Sequence, residues 1–153
     1  MPEQRPGSGS ENSRAQAPDL DVRFEAKGRV TEFTLKLELA ASDVDRARAW
    51  YSEKLGLEPI DPEALELVYY AGGTQFGIYP SANAGTNKAT AARLIVDDFD
   101  AARAELLSKG VVFEDYDLGE DFRTVDGVLV SPDGEKTSWF KDPEGNILAL
   151  GSI

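Results

Sequence analysis

Lys36, Glu38 and Arg93 are the charged side chains best suited to ligand chemistry, because each stands where polar and apolar residues alternate. Along such a strand, side chains point alternately to the two faces of the sheet. If Leu35 and Leu37 pack on helices, Lys36 and Glu38 face the opposite side, where a cavity could lie. Arg93 has the same parity and could pair with a carboxylate ligand or with Glu38. The alternative is that Lys36 and Glu38 are solvent-exposed or form an ion pair with each other.

Aromatic residues are concentrated on the predicted strands and could supply the apolar part of a binding site. A ring with a polar tip can stack on a small molecule and form one hydrogen bond with it. Tyr79 and Trp139 are predicted to bind ligand, since both lie near strand ends beside polar neighbours. Most other rings are expected in the core, including Trp50 and Tyr51 on the apolar stripe of a helix.

The chain contains no histidine and no cysteine. Thiol nucleophiles and zinc–thiolate sites are therefore excluded, and a serine or threonine nucleophile would lack an imidazole base. Neither a P-loop nor a dinucleotide-binding glycine motif is present, since the glycines at residues 71–74 fit a hairpin turn. Glu38, Glu66 and Asp97 are the carboxylates that could approach a metal ion. No catalytic residue is predicted.

The net charge of −12 argues against a nucleic-acid partner, because phosphate backbones are bound by clusters of lysine and arginine. No apolar run approaches the roughly 20 residues that a membrane helix needs, and no signal peptide is visible. A cytoplasmic location without membrane association is expected. Residues 114–121 carry five acids and no base, which indicates either a mobile lip that attracts cations or a solvated loop.

The chain is predicted to form one domain preceded by a disordered tail. Residues 1–28 are rich in Pro, Gly, Ser and Gln and lack an apolar period. Residues 29–153 form the domain, in which a first module spans about 31–80 and a second module about 89–152. A linker at about 81–88 joins them.

The two modules match each other in sequence and in order of elements. Asp43–Ala49 aligns with Asp98–Ala104, and Lys54 aligns with Lys109 at the same offset. Ser42-Asp43 predicts the start of the first helix, which Gly56 ends. Each helix follows a strand and precedes further strands, predicted at residues 58–60, 64–71 and 75–79 in the first module and 111–114, 124–130, 136–140 and 147–150 in the second. This pattern predicts an α+β protein of two βαβββ modules that form a cupped mixed sheet.

Three segments, taken in this order, resemble the vicinal oxygen chelate superfamily, which includes glyoxalase I, extradiol dioxygenases and bleomycin-resistance proteins. They are residues 44–57, 96–100 and 140–146, the last with the sequence Phe-Lys-Asp-Pro-Glu-Gly-Asn. The resemblance covers about residues 33–152. It implies two βαβββ modules around a concave cavity, and it implies a homodimer.

The resemblance also implies where metal ligands would stand, and this chain departs from the pattern there. Metal-dependent members carry ligands at positions that correspond here to Lys36, Ala91 and Ala149. An ammonium repels a divalent ion, and a methyl group offers no electron pair. The sequence therefore predicts a protein without a metal or other cofactor.

The resulting prediction is a metal-independent protein that binds a drug or metabolite in a concave cavity. One alternative is a superfamily enzyme, a lyase, isomerase or dioxygenase, with atypical ligands or with Lys36 and Glu38 as a metal-free acid–base pair. Another is a regulatory or scaffolding module that meets a protein partner.

Overall fold

A computed structural model of the chain describes residues 35–152, so the predicted disordered tail lies outside the described residues. Within residues 35–152 no helix is long and apolar enough to cross a membrane. The elements are, in order, β1 (Leu37–Ala41), α1 (Val44–Leu55), β2 (Leu67–Ala71), β3 (Thr74–Pro80), β4 (Thr90–Val96), α2 (Phe99–Ser108), β5 (Phe113–Glu114), β6 (Leu129–Val130), β7 (Lys136–Lys141) and β8 (Ile147–Ser152).

Both helices begin at an aspartate that caps them. The side chain of Asp43 accepts a hydrogen bond from the backbone N–H of Arg46, and Asp98 does the same for Ala101. Each bond satisfies one of the N–H groups that a first helical turn leaves without a partner. Helix α1 ends at Gly56, whose φ of 65° lies in the left-handed region that glycine adopts without strain. The predicted bounds of α1 are confirmed.

The strands form two sheets that repeat one topology. In sheet 1 the order is β1-β3-β2, and in sheet 2 it is β4-β8-β7-β5, with β6 also on β7. The first strand of each module runs parallel to the last, and the last runs antiparallel to the strand before it. This repetition confirms the predicted α+β fold class.

The strand registers show which residues are equivalent in the two modules. Glu38 and Arg93 each stand five residues before the cap of their helix. Glu38 lies opposite Gly77 on β3, and Arg93 lies opposite Ala149 on β8. Gly77 is therefore the counterpart of Ala149, and neither position offers a side chain that could bind a metal ion.

The aligned lysines at the ends of the helices meet in a reciprocal contact. The ammonium of Lys54 donates to the carbonyl of Lys109 at 2.5 Å, and the ammonium of Lys109 donates to the carbonyl of Lys54 at 3.4 Å. Each cation thus lies at the C-terminal end of the other module's helix, where the helix dipole favours positive charge.

Several of the predicted strands are absent or shorter: the strand predicted over 64–71 begins only at Leu67, and the one predicted over 111–114 is reduced to β5. Residues 58–60 form no strand, because Pro59 has no N–H to donate to a ladder; the backbone of Ile60 still donates to Val68 at 2.8 Å. The strand predicted over 124–130 is reduced to β6. Asp126 and Gly127 adopt φ values of 51° and 73° there and form a tight turn instead.

The main core draws buried residues from both modules. Tyr51 on α1 packs against Tyr69 and Phe76 of sheet 1, while Trp50 stacks on Phe140 of sheet 2 at 6.2 Å. The prediction that these two helix residues serve packing is confirmed. We call the side of each sheet that faces this core the inner face, and the opposite side the outer face.

Glu144, in the turn between β7 and β8, clamps the second module to the start of α1. Its carboxylate accepts hydrogen bonds from the backbone N–H and the hydroxyl of Ser42, at 2.7 and 2.8 Å. It also accepts one from Nε of Arg46 at 2.9 Å. Burial alone would raise the pKa of Glu144, but these hydrogen bonds outweigh it and lower that pKa. The carboxylate therefore stays ionised at the positive end of the helix.

Asp142, in the same turn, holds a second contact between the modules. Its carboxylate accepts a hydrogen bond from the Tyr51 hydroxyl at 2.9 Å and another from the side-chain amide of Asn146 at 2.8 Å. Burial, and then the neighbouring Asp142 charge, raise the pKa of Tyr51 far above its ordinary value. The phenol therefore remains a hydrogen-bond donor at all physiological pH values.

Replacing Tyr51 with phenylalanine is expected to lower the free energy of unfolding by about 1 kcal/mol, the usual net value of one hydrogen bond. The loss should stay small because Asp142 keeps the bond from Asn146. Urea denaturation would measure it, with Tyr79→Phe as the matched control, since Tyr79 is 39% exposed. Equal stability of Tyr51→Phe and wild type would contradict the expectation.

Candidate functional site

Three charged side chains meet on the outer face of sheet 1. The ammonium of Lys36 lies 2.8 Å from Oε1 of Glu38 and also contacts the carboxylate of Glu66. Gly77 lies under the two glutamates, and a Cβ atom there would stand 2.6 Å from Oε2 of Glu38. The absence of a side chain at Gly77 thus lets both carboxylates reach the ammonium. Of the alternatives for Lys36 and Glu38, the structure shows the ion pair.

The ion pairs fix the protonation state of Lys36. Its partial burial would lower its pKa, but the hydrogen bonds to Glu38 and Glu66 outweigh this and raise the pKa. The hydrogen bond from Lys36, in turn, lowers the pKa of Glu66. Lys36 is therefore an ammonium at neutral pH and does not act as a base there.

Arg93, which is the counterpart of Glu38, lies on the outer face of sheet 2. Its guanidinium extends across β8 at Gly151 and donates to the hydroxyl of Thr137 at 3.2 Å. A Cβ atom on Gly151 would be 3.1 Å from Nη1 of Arg93, so the glycine leaves room for this path. Among residues 35–152, Arg93 pairs neither with Glu38, which pairs with Lys36, nor with another carboxylate.

Trp139 also lies on sheet 2, but it is only 7% exposed. Its ring packs edge-on against Tyr116, with centroids 5.7 Å apart, and is tilted against Phe122, with centroids 5.5 Å apart. The indole N–H donates to the hydroxyl of Thr90 at 3.0 Å. Both the ring and its polar tip are thus engaged within the protein, and Ala149 is fully buried in the same cluster.

Tyr116, in the acidic run at residues 114–121, and Phe122, directly after that run, both contact Trp139. Glu114 pairs with Lys141, Asp117 pairs with Arg123, and Asp115 accepts hydrogen bonds from the hydroxyl of Thr124 and the N–H of Gly127. Three of the five acids therefore have partners: Lys141 belongs to β7, and the other partners lie further along the same loop. The sequence showed the charges of this loop but not these partners.

The predicted ligand-binding residues fall into two groups. Lys36, Glu38 and Tyr79 lie on the outer face of sheet 1, where the register pairs Tyr79 with Ala40. Arg93 and Trp139 lie on the outer face of sheet 2. Within the described residues no strand ladder joins the two sheets.

The residues present do not fit a divalent metal. Lys36 is occupied by two glutamates, Ala149 is fully buried, and Ala91 lies at an irregularity in the pairing of β4 with β8. Over residues 35–152 there is no group of three or more histidine, cysteine, aspartate or glutamate side chains that could hold a metal ion.

A cavity of about 550 Å³ lies between the two modules, against the inner face of sheet 1 and along the edge strand β4. Its volume is in the range of sites that bind drug-sized molecules. This is not the face of β1 on which the sequence predicts a cavity, because its alternating leucines were expected to pack on helices. Most of its lining is apolar: Leu37, Leu39, Tyr51, Leu55, Leu57, Ala71, Gly72, Thr74, Phe76, Ala92, Arg93, Leu94, Ile95, Val96 and Leu148.

No family model and no curated protein matches the sequence. Solved structures do match it. A glyoxalase/bleomycin resistance protein from Catenulispora acidiphila is 27% identical, with a TM-score of 0.57 over 80% of this chain and 99% of that one. A lactoylglutathione lyase from Agrobacterium tumefaciens is 16% identical, with a TM-score of 0.59 over 81% and 96%. A glyoxalase/bleomycin resistance protein/dioxygenase superfamily member from Sphaerobacter thermophilus is 23% identical, with a TM-score of 0.55 over 80% and 98%.

Proposed function

We propose that this chain, which has the fold of the vicinal oxygen chelate superfamily, binds an apolar small molecule without the help of a divalent metal. The cavity between the modules carries the proposal. An aliphatic and aromatic lining of this size can remove a ligand from water, and each buried methylene group contributes about 0.8 kcal/mol.

The side chains at the expected metal positions support the metal-independent part of the proposal. A metal site needs several nitrogen or oxygen ligands that converge on one ion. Lys36 is itself a cation held by Glu38 and Glu66, and Ala149 is buried beside Trp139. An acid–base enzyme with Lys36 as its base is disfavoured, because its ion pairs keep Lys36 protonated.

Of the ligand-binding residues predicted from sequence, Arg93 is the one that lines the cavity. Its guanidinium lies across β8 toward Thr137 on the outer face, so the proposed ligand site consists of the leucines of β1 and the inner residues of β4. Lys36, Glu38, Tyr79 and Trp139 lie outside this lining, and their contact with a ligand stays a prediction.

Replacing Ala92 with tryptophan is expected to weaken the binding of decanol at least tenfold, because the indole would occupy the cavity. Isothermal titration calorimetry with wild-type protein, in the presence of EDTA, would give the reference affinity. Val112→Trp is the matched control, since Val112 is 77% exposed and lies outside the lining. Leu37→Trp, at a half-exposed lining position, provides a second variant if Ala92→Trp does not fold.

The proposal fails if wild type binds neither decanol nor another apolar probe, or if both cavity variants bind decanol as wild type does. Metal analysis of protein purified without a histidine tag tests the second part of the proposal, that binding needs no divalent metal. Stoichiometric, tightly bound zinc, nickel or iron would contradict metal independence.

The homodimer stays a prediction. Among the described strands, β1 and β4 lie at the edges of their sheets, and a second copy could cover them. Sedimentation equilibrium should give about twice the chain mass of 16.6 kDa. A single species at the chain mass, at tens of micromolar protein, would contradict it.

A further inference from the structure

Strand β4 borders the cavity along its edge. The lining includes five consecutive residues of this strand, at positions 92–96. Successive side chains of a strand point to opposite faces of the sheet, so consecutive residues border one volume only where that volume lies along the edge of the strand. The backbone of β4 therefore faces the cavity.

The backbone groups on this edge are free to bind a partner. β4 pairs with β8 on one side, and no strand among residues 35–152 pairs with its other side. An edge strand presents a row of N–H donors and C=O acceptors that its own sheet does not use. A ligand that excludes water from the cavity must pair these groups, because leaving them unpaired in apolar surroundings is costly.

The opposite wall of the cavity consists of apolar side chains on the inner face of sheet 1. Leu37 and Leu39 alternate along β1, and Phe76 lies opposite Leu37 on β3. An extended segment beside β4 would turn alternate side chains to its two faces, and one of these sets would meet this wall. Apolar residues at every second position therefore fit the cavity.

We propose that the ligand of the cavity is a short extended peptide with apolar residues at alternate positions, which adds a strand to the free edge of β4. This inference rests on the proposed function, because it names the ligand class of the same cavity. Main-chain hydrogen bonds to β4 supply affinity, and the leucines of β1 select the side chains.

The charges of the protein favour basic residues at the ends of this peptide. Asp97 and Asp98 directly follow β4, and both are exposed. The chain also carries a net charge of −12, which attracts cations. A suitable probe is therefore acetyl-Lys-Val-Thr-Val-Thr-Val-Lys-amide, whose valines occupy alternate positions.

Calorimetric titration of the full chain with this peptide and with two N-methylated versions tests the inference. One version is N-methylated at its valines and the other at its threonines. In an extended peptide the N–H groups of these two sets point to opposite edges, and only one edge can pair with β4. One version should therefore bind at least about tenfold more weakly than the parent peptide, and the other should bind as the parent does.

Hydrogen exchange and a cavity variant locate the bound peptide. Exchange of the backbone amides at residues 92–96 should slow when the peptide binds, whereas exchange at residues 129–130 of β6 should not change. Ala92→Trp should weaken peptide binding at least about tenfold, because the indole would occupy the cavity. Val112→Trp, at an exposed position outside the lining, is the matched control and should bind as wild type does.

The inference is wrong if the parent peptide does not bind, or if the two N-methylated versions bind equally well. A second copy of the chain on the edge of β4 would give the first of these results, with residues 92–96 already protected from exchange before peptide is added. The proposed function survives either result if decanol still binds. If neither decanol nor the peptide binds, the proposed function fails as well.

Discussion

Replacing Glu144 with alanine is expected to lower the free energy of unfolding by about 3 kcal/mol, because several hydrogen bonds to one charged, buried carboxylate are lost. The side chain of Glu144 is fully buried, whereas that of its partner Arg46 is 53% exposed. Alanine would leave the hydroxyl and N–H of Ser42 without their acceptor and would remove the charge at the start of α1. Arg46 can turn to solvent, so the loss comes mainly from the hydrogen bonds of Ser42 and from the charge at the start of α1.

The same carboxylate should make stability depend on pH. Because the folded protein lowers the pKa of Glu144 below its ordinary value of 4.5, the contribution of Glu144 is complete above that value. It is lost as the pH falls through the lower, folded pKa. Wild type should therefore lose stability below about pH 4.5 more steeply than Glu144→Gln, which has no proton to bind at this position.

Urea denaturation at pH 7 and at several lower pH values would measure both effects. Glu120→Ala is the control, since Glu120 is exposed and forms no ion pair with the described residues. Its free energy of unfolding should stay within about 0.5 kcal/mol of wild type. A comparable loss of unfolding free energy in Glu120→Ala and Glu144→Ala would show that the contacts of Glu144 contribute nothing specific to stability.

The parts of the fold that local chemistry determines could be predicted from sequence. Asp43 caps α1 through a group three residues away, and Gly56 ends it through its own backbone conformation. The two modules could be recognised in the sequence because the two aligned helix segments each follow one strand and precede several others. The failed strand at residues 58–60 shows the limit of such patterns, since Pro59 has no N–H to donate to a ladder.

The candidate site was harder to predict, because its contacts join residues that are far apart in sequence. Glu144 was recognisable as part of a turn, but nothing near it in sequence points to Ser42. Strand alternation correctly predicted that Lys36 and Leu37 lie on opposite faces of the sheet. It cannot show whether the polar or the apolar face borders a cavity. The described cavity lies on the apolar side, where alternation indicates only burial.

Replacing Gly85 with alanine is expected to cost about 3 kcal/mol, because two penalties act at one position. Gly85 lies in the predicted linker and has a φ of 74°, which strains any other residue. A Cβ atom on it would also stand 2.8 Å from the backbone oxygen of Glu144, which cannot turn aside as a side chain could. The linker would have to move away from the turn that carries Glu144.

Gly72→Ala separates the two penalties. Gly72 has a similar φ of 56°, but a Cβ atom there would have no neighbour within 4 Å. Its cost should be the backbone strain alone, about 1 kcal/mol. If both variants lose the same free energy of unfolding in urea, the approach of Gly85 to the turn is not tight. A clearly larger loss at Gly85 would mean that the close contact between the linker and the turn contributes to stability. This contribution would be separate from that of the hydrogen bonds of Glu144, so the linker and the carboxylates of the turn would both hold the second module against α1.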